Sequence, residues 1–257
     1  MSITQPHASV KTALAKVPEV TLLFWIMKIA ATTLGETGGD AVSMSMNLGY
    51  LVATGIFAII FLVVVYAQIR AGRFHPTLYW ATIIATTTVG TTMADFADRS
   101  LGIGYAGGTA ILFTLLLLSL AAWHWVMGSI AVDTVSNPKV EAFYWVTIMF
   151  SQTLGTALGD WLADTAGLGY AGGAVVFGGL LALVALAYYR TRVSRVFLFW
   201  TAFVLTRPLG AVVGDFLDKP INAGGLDLSR YGASALLFAF IIGCIVLFRQ
   251  RASQVAH

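Results

Sequence analysis

Long apolar runs separated by short polar segments make up most of the chain. Four of these runs begin at a tyrosine and extend over about twenty residues, at 50–70, 105–125, 170–190 and 231–251. At ~1.5 Å per residue, a helix of that length matches the ~30 Å hydrocarbon core of a bilayer. Another apolar segment, which begins near a tryptophan, precedes each of them. The pattern therefore predicts eight transmembrane helices.

A fixed spacing of Trp, Gly and Asp indicates that the helices are arranged as four repeats. In each copy Gly follows Trp by ten residues and Asp follows Gly by five. The copies are Trp25/Gly35/Asp40, Trp80/Gly90/Asp95, Trp145/Gly155/Asp160 and Trp200/Gly210/Asp215. Their period is 55 residues within each half and 65 across the centre, where Ser-Asn-Pro at 136–138 indicates a turn. We therefore divide the chain into an N-terminal segment (1–19), a first half (20–130), a linker (131–142), a second half (143–251) and a tail (252–257).

Composition and charge agree with a membrane protein. Of the 257 residues, 58% are hydrophobic and 11% charged, which excludes an ordinary soluble protein. The single cysteine, Cys244, excludes an internal disulfide and a thiolate metal cluster. A sequence pI of about 9.1 is also a feature of nucleic-acid-binding proteins, but the positions of the basic residues give a different explanation.

Lysine and arginine residues concentrate on one side of the predicted membrane. The termini and the loops after the second, fourth and sixth helices hold ten of them, whereas the opposite loops hold Arg99, Lys219 and Arg230. By the positive-inside rule both termini are cytoplasmic, so the basic pI reflects topology and not nucleic-acid binding. All four repeats then enter the membrane in the same direction, related by an axis along the membrane normal. The predicted fold is an all-α integral membrane protein with four tandem parallel-oriented helical hairpins around a central polar site.

Polar residues spaced by three or four form a stripe along the first helix of each repeat. In repeat one the stripe runs through Lys28, Thr32, Glu36, Asp40 and Ser43. Because ionisable groups within a membrane are expensive, such a stripe is by default a candidate functional site. The candidate cation-binding residues on the four stripes are Thr32, Glu36, Asp40, Thr91, Asp95, Gln152, Thr156, Asp160 and Asp215. Among them Glu36, Asp40, Asp95, Asp160 and Asp215 are the candidate metal ligands.

The stripes carry five acidic residues against two basic ones, Lys28 and Arg207. A net excess of about three negative charges predicts binding of a divalent cation, of protons, or of both. Carboxylate, hydroxyl and amide oxygens without His or Cys suit manganese, magnesium or calcium. We assign Lys28 and Arg207 as a gate or counter-charge, which either occupies the acids when the site is empty or forms a structural ion pair. Pro208 is expected to break or kink the seventh helix beside Arg207.

Two further features concern packing and access. The repeated motif places small residues four apart, as in Gly35 and Gly39, which favours close helix packing over ligand contact. Repeat four contains an insertion around 219–229, on the outer side, which could cover the mouth of the site.

The leading functional hypothesis is a secondary transporter or exporter of a small divalent cation, manganese first, coupled to protons. Its expected partners are the lipid bilayer and a small inorganic cation; we expect no cofactor and no enzymatic activity. An intramembrane aspartyl hydrolase is one alternative, because paired aspartates can activate water. A receptor or scaffold that does not transport is another. The sequence does not indicate the oligomeric state.

The strings TTLGETGGD, QTLGTALGD and LGYAGG, with the repeated Trp/Gly/Asp/Tyr spacing, resemble a family of bacterial inner-membrane proteins known chiefly as uncharacterised "membrane-anchored" proteins. The resemblance covers about residues 20–250. It implies a multi-pass protein of the bacterial inner membrane and no particular activity. In architecture alone the repeats are also similar to small manganese exporters, whose motifs differ from these.

Overall fold

The computed structural model describes residues 15–253. Residues 1–14 and 254–257, which include most of the predicted N-terminal segment and tail, lie outside the described residues. Within 15–253 the fold is all-α, with eight long helices. They are α1 (Leu22–Asp40), α2 (Gly49–Arg70), α3 (Pro76–Asp95), α4 (Tyr105–Met127), α5 (Pro138–Asp160), α6 (Gly169–Arg190), α7 (Arg195–Asp218) and α8 (Arg230–Leu247).

Five helices, α2, α4, α6, α7 and α8, are long and apolar enough to cross a membrane. The remaining three, α1, α3 and α5, have similar lengths but are rich in Thr, Gly and acidic residues. Most of these polar residues are buried, because they face the centre of the molecule. The protein therefore has the character of a membrane protein whose polar surface is turned inward.

The first helices of the four repeats form a closed inner ring, in which α1, α3, α5 and α7 each contact the next and α7 returns to α1. The second helices pack outside the ring. Each of them packs mainly on the inner helix of the following repeat: α2 on α3, α4 on α5, α6 on α7, and α8 on α1. The predicted hairpins are thus open, and neighbouring repeats hold one another in place. The ring also joins the two halves, since α3 contacts α5 across the linker.

Glycines of the Trp/Gly/Asp motif make the close contacts within the ring. A Cβ placed on Gly35 would overlap the side chain of Thr87, and one on Gly155 would overlap Arg207. Gly210 lies against Thr32 in the same way. Each motif glycine therefore receives a stripe residue from the next inner helix. This arrangement confirms the packing role that the small-residue spacing predicts.

A layer of aromatic side chains closes one end of the ring. The residue before each motif Trp is Phe24, Tyr79, Tyr144 or Phe199, and all four are buried. Each contacts the motif Trp of the next repeat, with ring centroids 5.7 to 6.3 Å apart. The hydroxyls of Tyr79 and Tyr144 are hydrogen-bonded at 2.8 Å. The Trp/Gly/Asp spacing alone does not predict this layer, although the aromatic pair recurs in every repeat.

The opposite ends of the inner helices change geometry directly after the motif aspartates. One π-helical segment follows each of Asp40, Asp95 and Asp160, and the three segments are Ala41–Ser45, Phe96–Ser100 and Trp161–Thr165. Such segments are rare and often occur at functional sites. Repeat four differs, because α7 continues as an α-helix to Asp218.

Two expectations about repeat four need correction or refinement. Of the break or kink expected at Pro208, the break is wrong, since α7 runs through the proline as one helix. Two residues before the proline, the backbone carbonyl of Thr206 accepts a hydrogen bond from Thr32 of α1 at 3.2 Å. The insertion folds back on the end of α7, where Leu226 and Leu228 donate backbone hydrogen bonds to Phe216 and Leu217.

The described ends of the chain meet beside the linker. Pro18 and Ala252 form an isolated antiparallel bridge, and the backbone N–H of Lys16 donates to the carbonyl of Val135 at 2.8 Å. The Lys16 ammonium also lies 2.6 Å from the buried carboxylate of Glu141 at the start of α5. Both described ends therefore lie at the same end of the ring as the linker.

Candidate functional site

The four motif aspartates lie at the same level of the inner ring. Three of them, Asp40, Asp95 and Asp160, are the last residues of their inner helices, and Asp215 lies in the last turn of α7. All four are at least 96% buried. The structure therefore brings together the four carboxylates that the repeat pattern predicts. They are joined in two pairs, each bridged by one basic residue, and Arg230 lies 3.8 Å from Asp40 Oδ2 as well.

Lys219 joins the first pair. Its ammonium donates a short hydrogen bond to Asp40 Oδ2 and lies 3.0 Å from Asp215 Oδ1. Burial alone would lower the pKa of Lys219, but the charges of Asp215 and Asp40 outweigh it and raise the pKa above its ordinary value. The insertion fixes this residue, because the backbone N–H of Asp227 donates to the Lys219 carbonyl at 2.9 Å.

Arg99 joins the second pair from the opposite side of the ring. Its Nε lies 2.9 Å from Asp95 Oδ1, and its Nη2 donates to Asp160 Oδ2 at 3.3 Å. Arg99 and Lys219 occupy equivalent positions in repeats two and four, each four residues after the motif aspartate. The aspartate ring therefore has two alternating ion-pair bridges.

Arg207 lies one level further inward, among three of the predicted site residues. Its Nη2 donates to Glu36 Oε2 at 3.0 Å and makes short hydrogen bonds to the hydroxyls of Thr91 and Thr156. These partners belong to α1, α3 and α5, whereas Arg207 belongs to α7. A single guanidinium thus connects all four inner helices at the position where the sequence analysis places a cation.

The predicted excess of three negative charges is wrong. The prediction counted Lys28 and Arg207 as the only basic residues at membrane depth, but Arg99 and Lys219 reach the aspartates from the outer turns. Arg230 also pairs with Asp218, with Nε 2.8 Å from Oδ2. The periodicity contains this information, since a residue four positions after a stripe aspartate lies on the same helix face.

Lys28 does not pair with Glu36, Asp40 or Asp215, contrary to one of the alternatives for it. Its side chain is fully buried, donates to the Thr206 hydroxyl at 3.4 Å, and lies 4.0 Å from the centre of the Phe203 ring. Within residues 15–253 it forms no ion pair. Lys28 therefore lies between the carboxylates and the aromatic layer, separated from both groups of acids.

Several buried polar atoms on the stripes lack hydrogen-bond partners among the described residues. Both amide atoms of Gln152 are in this state, as are the Thr87 hydroxyl and two guanidinium nitrogens of Arg207. Buried polar groups are usually satisfied by protein or by ordered water. The interior at the level of Gln152 is therefore suited to hold water or a polar ligand.

Two groups of carboxylates are close enough to share one ion. Glu36, Asp40 and Asp95 offer oxygens within 4.8 Å of one another, and Asp40, Asp215 and Asp218 form a second such group. Asp40 belongs to both, and its Oδ1 has no hydrogen-bond partner among the described residues. Oxygen ligands in this arrangement suit hard divalent cations. Asp160, which the sequence predicts as a metal ligand, belongs to neither group.

Comparison with known proteins identifies the family. The chain belongs to the family described as Repeat of Unknown Function (DUF347), whose model matches residues 23–74, 78–129, 143–194 and 198–253. These four matches coincide with the four repeats of the structure, as the resemblance to an uncharacterised four-repeat family predicts. No curated protein and no solved structure matches the chain.

Proposed function

We propose that this member of the repeat family is a secondary transporter of a small divalent cation, manganese first, that exchanges the cation for protons. The observation that carries the proposal is the pair of buried carboxylate groups that share Asp40. Both groups lie within a closed ring of helices, where an unpaired acid would be costly. The free Oδ1 of Asp40 gives an incoming cation a ligand that no protein group already uses.

The proposal includes eight membrane spans. Helices α1, α3 and α5 have 19, 20 and 23 residues, enough for about 28 to 35 Å. They form the inner ring together with the apolar helix α7 and are covered by the apolar helices α2, α4 and α8. The meeting of both described chain ends beside the linker agrees with cytoplasmic termini, which the distribution of basic residues favours. We place the protein in a bacterial inner membrane on the basis of the family resemblance.

In the proposed mechanism basic side chains hold the carboxylates when no cation is bound. Lys219 occupies Asp40 and Asp215, while Arg207 occupies Glu36. A divalent cation entering from the outer end replaces Lys219 at Asp40 and Asp215, and Asp218 supplies a third oxygen. The aromatic layer and the buried Lys28 keep the other end closed during this step. Protons that reach the carboxylates release the cation, because a protonated acid no longer neutralises it.

The geometry favours a transporter over an aspartyl hydrolase. Aspartates that activate water must share that water between them. Here a lysine separates Asp40 from Asp215, and an arginine separates Asp95 from Asp160. We therefore propose that the protein is not an enzyme.

Transport is tested with purified protein in liposomes that carry a manganese-sensitive dye and an imposed pH gradient. We expect manganese flux that the gradient drives and that magnesium or calcium competes for. Asp40→Asn removes the carboxylate shared by both groups and should abolish the flux. The matched control is Asp164→Asn, four residues after Asp160, since Asp164 is exposed. Equal fluxes in empty liposomes and in liposomes with the protein, at both signs of the gradient, would contradict the proposal and favour a scaffold.

A further inference from the structure

A large apolar groove lies at the end of the ring that carries the aromatic layer, away from the carboxylates. Its volume is about 510 Å³, within the ~300–1,000 Å³ range of small-molecule sites. Buried residues of α7 form its floor, and α1 and α6 form its walls. The floor extends from Leu198 to Thr206, which corresponds to about 12 Å along a helix.

The groove is open because nothing described covers the junction of α1 and α7 on this side. Elsewhere at this end the chain covers the ring: the indole N–H of Trp80 donates to Gln250 at 2.8 Å, and that of Trp200 donates to the Ile130 carbonyl at 3.0 Å. Trp25, the equivalent residue of repeat one, lines the groove and, like the buried Trp145, forms no such bond within residues 15–253.

The α6–α7 side of the groove mouth is positively charged, whereas Glu19 precedes the lining residue Val20 on the other side. Arg190, Arg192 and Arg195 lie within six residues between α6 and α7, and the nearest acidic residues in the sequence are Asp164 and Asp215. Arg195 lines the groove itself. Its guanidinium stacks on the Tyr188 ring, 4.2 Å from the centroid, and Nη1 donates to the Tyr188 carbonyl. Arg195 is therefore already positioned at the apolar opening.

We propose that the groove binds an anionic phospholipid of the bilayer, with one acyl chain along α7 and the phosphate on Arg195. An apolar groove on the outside of a membrane helix bundle cannot be filled favourably by water, so a hydrocarbon chain is the natural occupant. Arginine pairs well with phosphate through its planar fork, and a basic cluster at the membrane surface attracts anionic lipids. This inference depends on the membrane location and is independent of cation transport.

The proposed acyl chain would end close to Lys28 and Arg207. Thr206, at the inner end of the groove, accepts the hydrogen bond of Lys28 and adjoins Arg207. An acyl chain that fills the groove would therefore support α7 directly beside the residues that hold Glu36.

Native mass spectrometry of the detergent-purified full chain tests the proposal. Phosphatidylglycerol and phosphatidylcholine with identical acyl chains are added separately, and bound lipid is counted. We expect phosphatidylglycerol to bind more tightly. Arg195→Gln should weaken it about fivefold, the effect of ~1 kcal/mol per basic residue, while Arg70→Gln at the end of α2 should not. Ala185→Trp should exclude the lipid by filling the groove, whereas Leu186→Trp, on the same helix but outside the groove, should not.

Three results would overturn the proposal. Equal binding of the two lipids, equally sensitive to Ala185→Trp, would show a groove without headgroup recognition. Binding unaffected by Arg195→Gln and Ala185→Trp would place the lipid elsewhere. A dimer that Ala185→Trp dissociates would show that a second copy of the chain occupies the groove.

Discussion

Arg207 on α7 donates a hydrogen bond to Glu36 on α1 at 3.0 Å, and both side chains are buried. This ion pair connects the fourth repeat with the first and so closes the ring of inner helices. Both residues depart from the otherwise regular stripes, as Lys28 also does. The asymmetry of the repeats therefore has a defined physical consequence, a buried ion pair between the fourth repeat and the first.

Removal of the arginine should be costly. Arg207→Gln leaves the Glu36 carboxylate buried without its counter-charge, and breaking one partner of a buried pair typically costs ~3–5 kcal/mol. We expect a large fall in thermal stability in detergent, measured by intrinsic fluorescence or calorimetry. The double variant Arg207→Gln/Glu36→Gln removes both charges and should recover much of the loss. Additive losses in the double variant would contradict the direct coupling of the two residues.

Lys219→Gln should destabilise the metal-free protein, because Asp40 and Asp215 lose a buried counter-charge, and it should also strengthen manganese binding. If Lys219 is the residue that a cation replaces, its removal frees Asp40 and Asp215, and manganese affinity should rise by about tenfold, or ~1.4 kcal/mol. Transport should slow, because release then lacks the returning ammonium. Isothermal titration measures the affinity, and Lys139→Gln at the exposed start of α5 is the control. Unchanged or weaker manganese binding would argue for a structural lysine.

The raised pKa of Lys219 also bears on how manganese affinity depends on pH. Because the folded-state pKa of Lys219 is raised, the stabilisation from its ion pairs is complete below the ordinary lysine pKa and is lost only as pH rises through the folded value. Lys219 should therefore stay charged from pH 7 to pH 9, so any change in affinity over that interval should come from the carboxylates and should persist in Lys219→Gln. A rise in affinity between pH 7 and pH 9 that Lys219→Gln abolishes would show that Lys219 loses its proton there and would contradict this assignment.

A glycine pair separates packing from general helix effects. Gly155→Ala introduces a Cβ into the side chain of Arg207 and should destabilise the protein by ~1–3 kcal/mol. Gly178→Ala lies in the interior of α6 with open space around it and should be neutral or stabilising by up to ~1 kcal/mol. Thermal unfolding of both variants measures the difference. Equal effects would exclude the close approach of α5 and α7.

Topology can be mapped with single cysteines after Cys244→Ala. Gly72→Cys lies in the loop between α2 and α3, and Asn222→Cys lies in the insertion between α7 and α8. With eight spans the two positions are on opposite sides of the membrane. We expect a membrane-impermeant maleimide added to intact cells to label Asn222→Cys and to reach Gly72→Cys only after lysis. Labelling of both in intact cells would exclude the eight-span arrangement.

Much of the fold follows from the periodic pattern. The apolar run predicted at 50–70 corresponds to α2 (Gly49–Arg70), and the motif aspartates end three of the inner helices. Hydrophobic periodicity and a repeated motif determine these features locally. The run at 231–251 was predicted too long, because α8 ends at Leu247 and the following residues instead pair with the N-terminal side of the chain.

The less predictable features depend on contacts between repeats. It is necessary to know which repeats are neighbours in order to predict that each outer helix packs on the inner helix of the following repeat. The same holds for the bridging of Asp95 and Asp160 by Arg99 and for the π-helical segments. The aromatic residue before each Trp could have been found from the repeat alignment alone. Its role as a closing layer could not, since it arises from contacts around the ring.

The most direct test of the account is to measure manganese binding by the purified protein with isothermal titration at pH 7.5, for wild type, Asp40→Asn and Asp164→Asn. The account predicts that wild type and Asp164→Asn bind manganese equally and that Asp40→Asn, while still folded, does not bind it. Failure of the wild-type protein to bind, or binding that Asp40→Asn leaves unchanged, would contradict the claim that the buried carboxylates form a cation site.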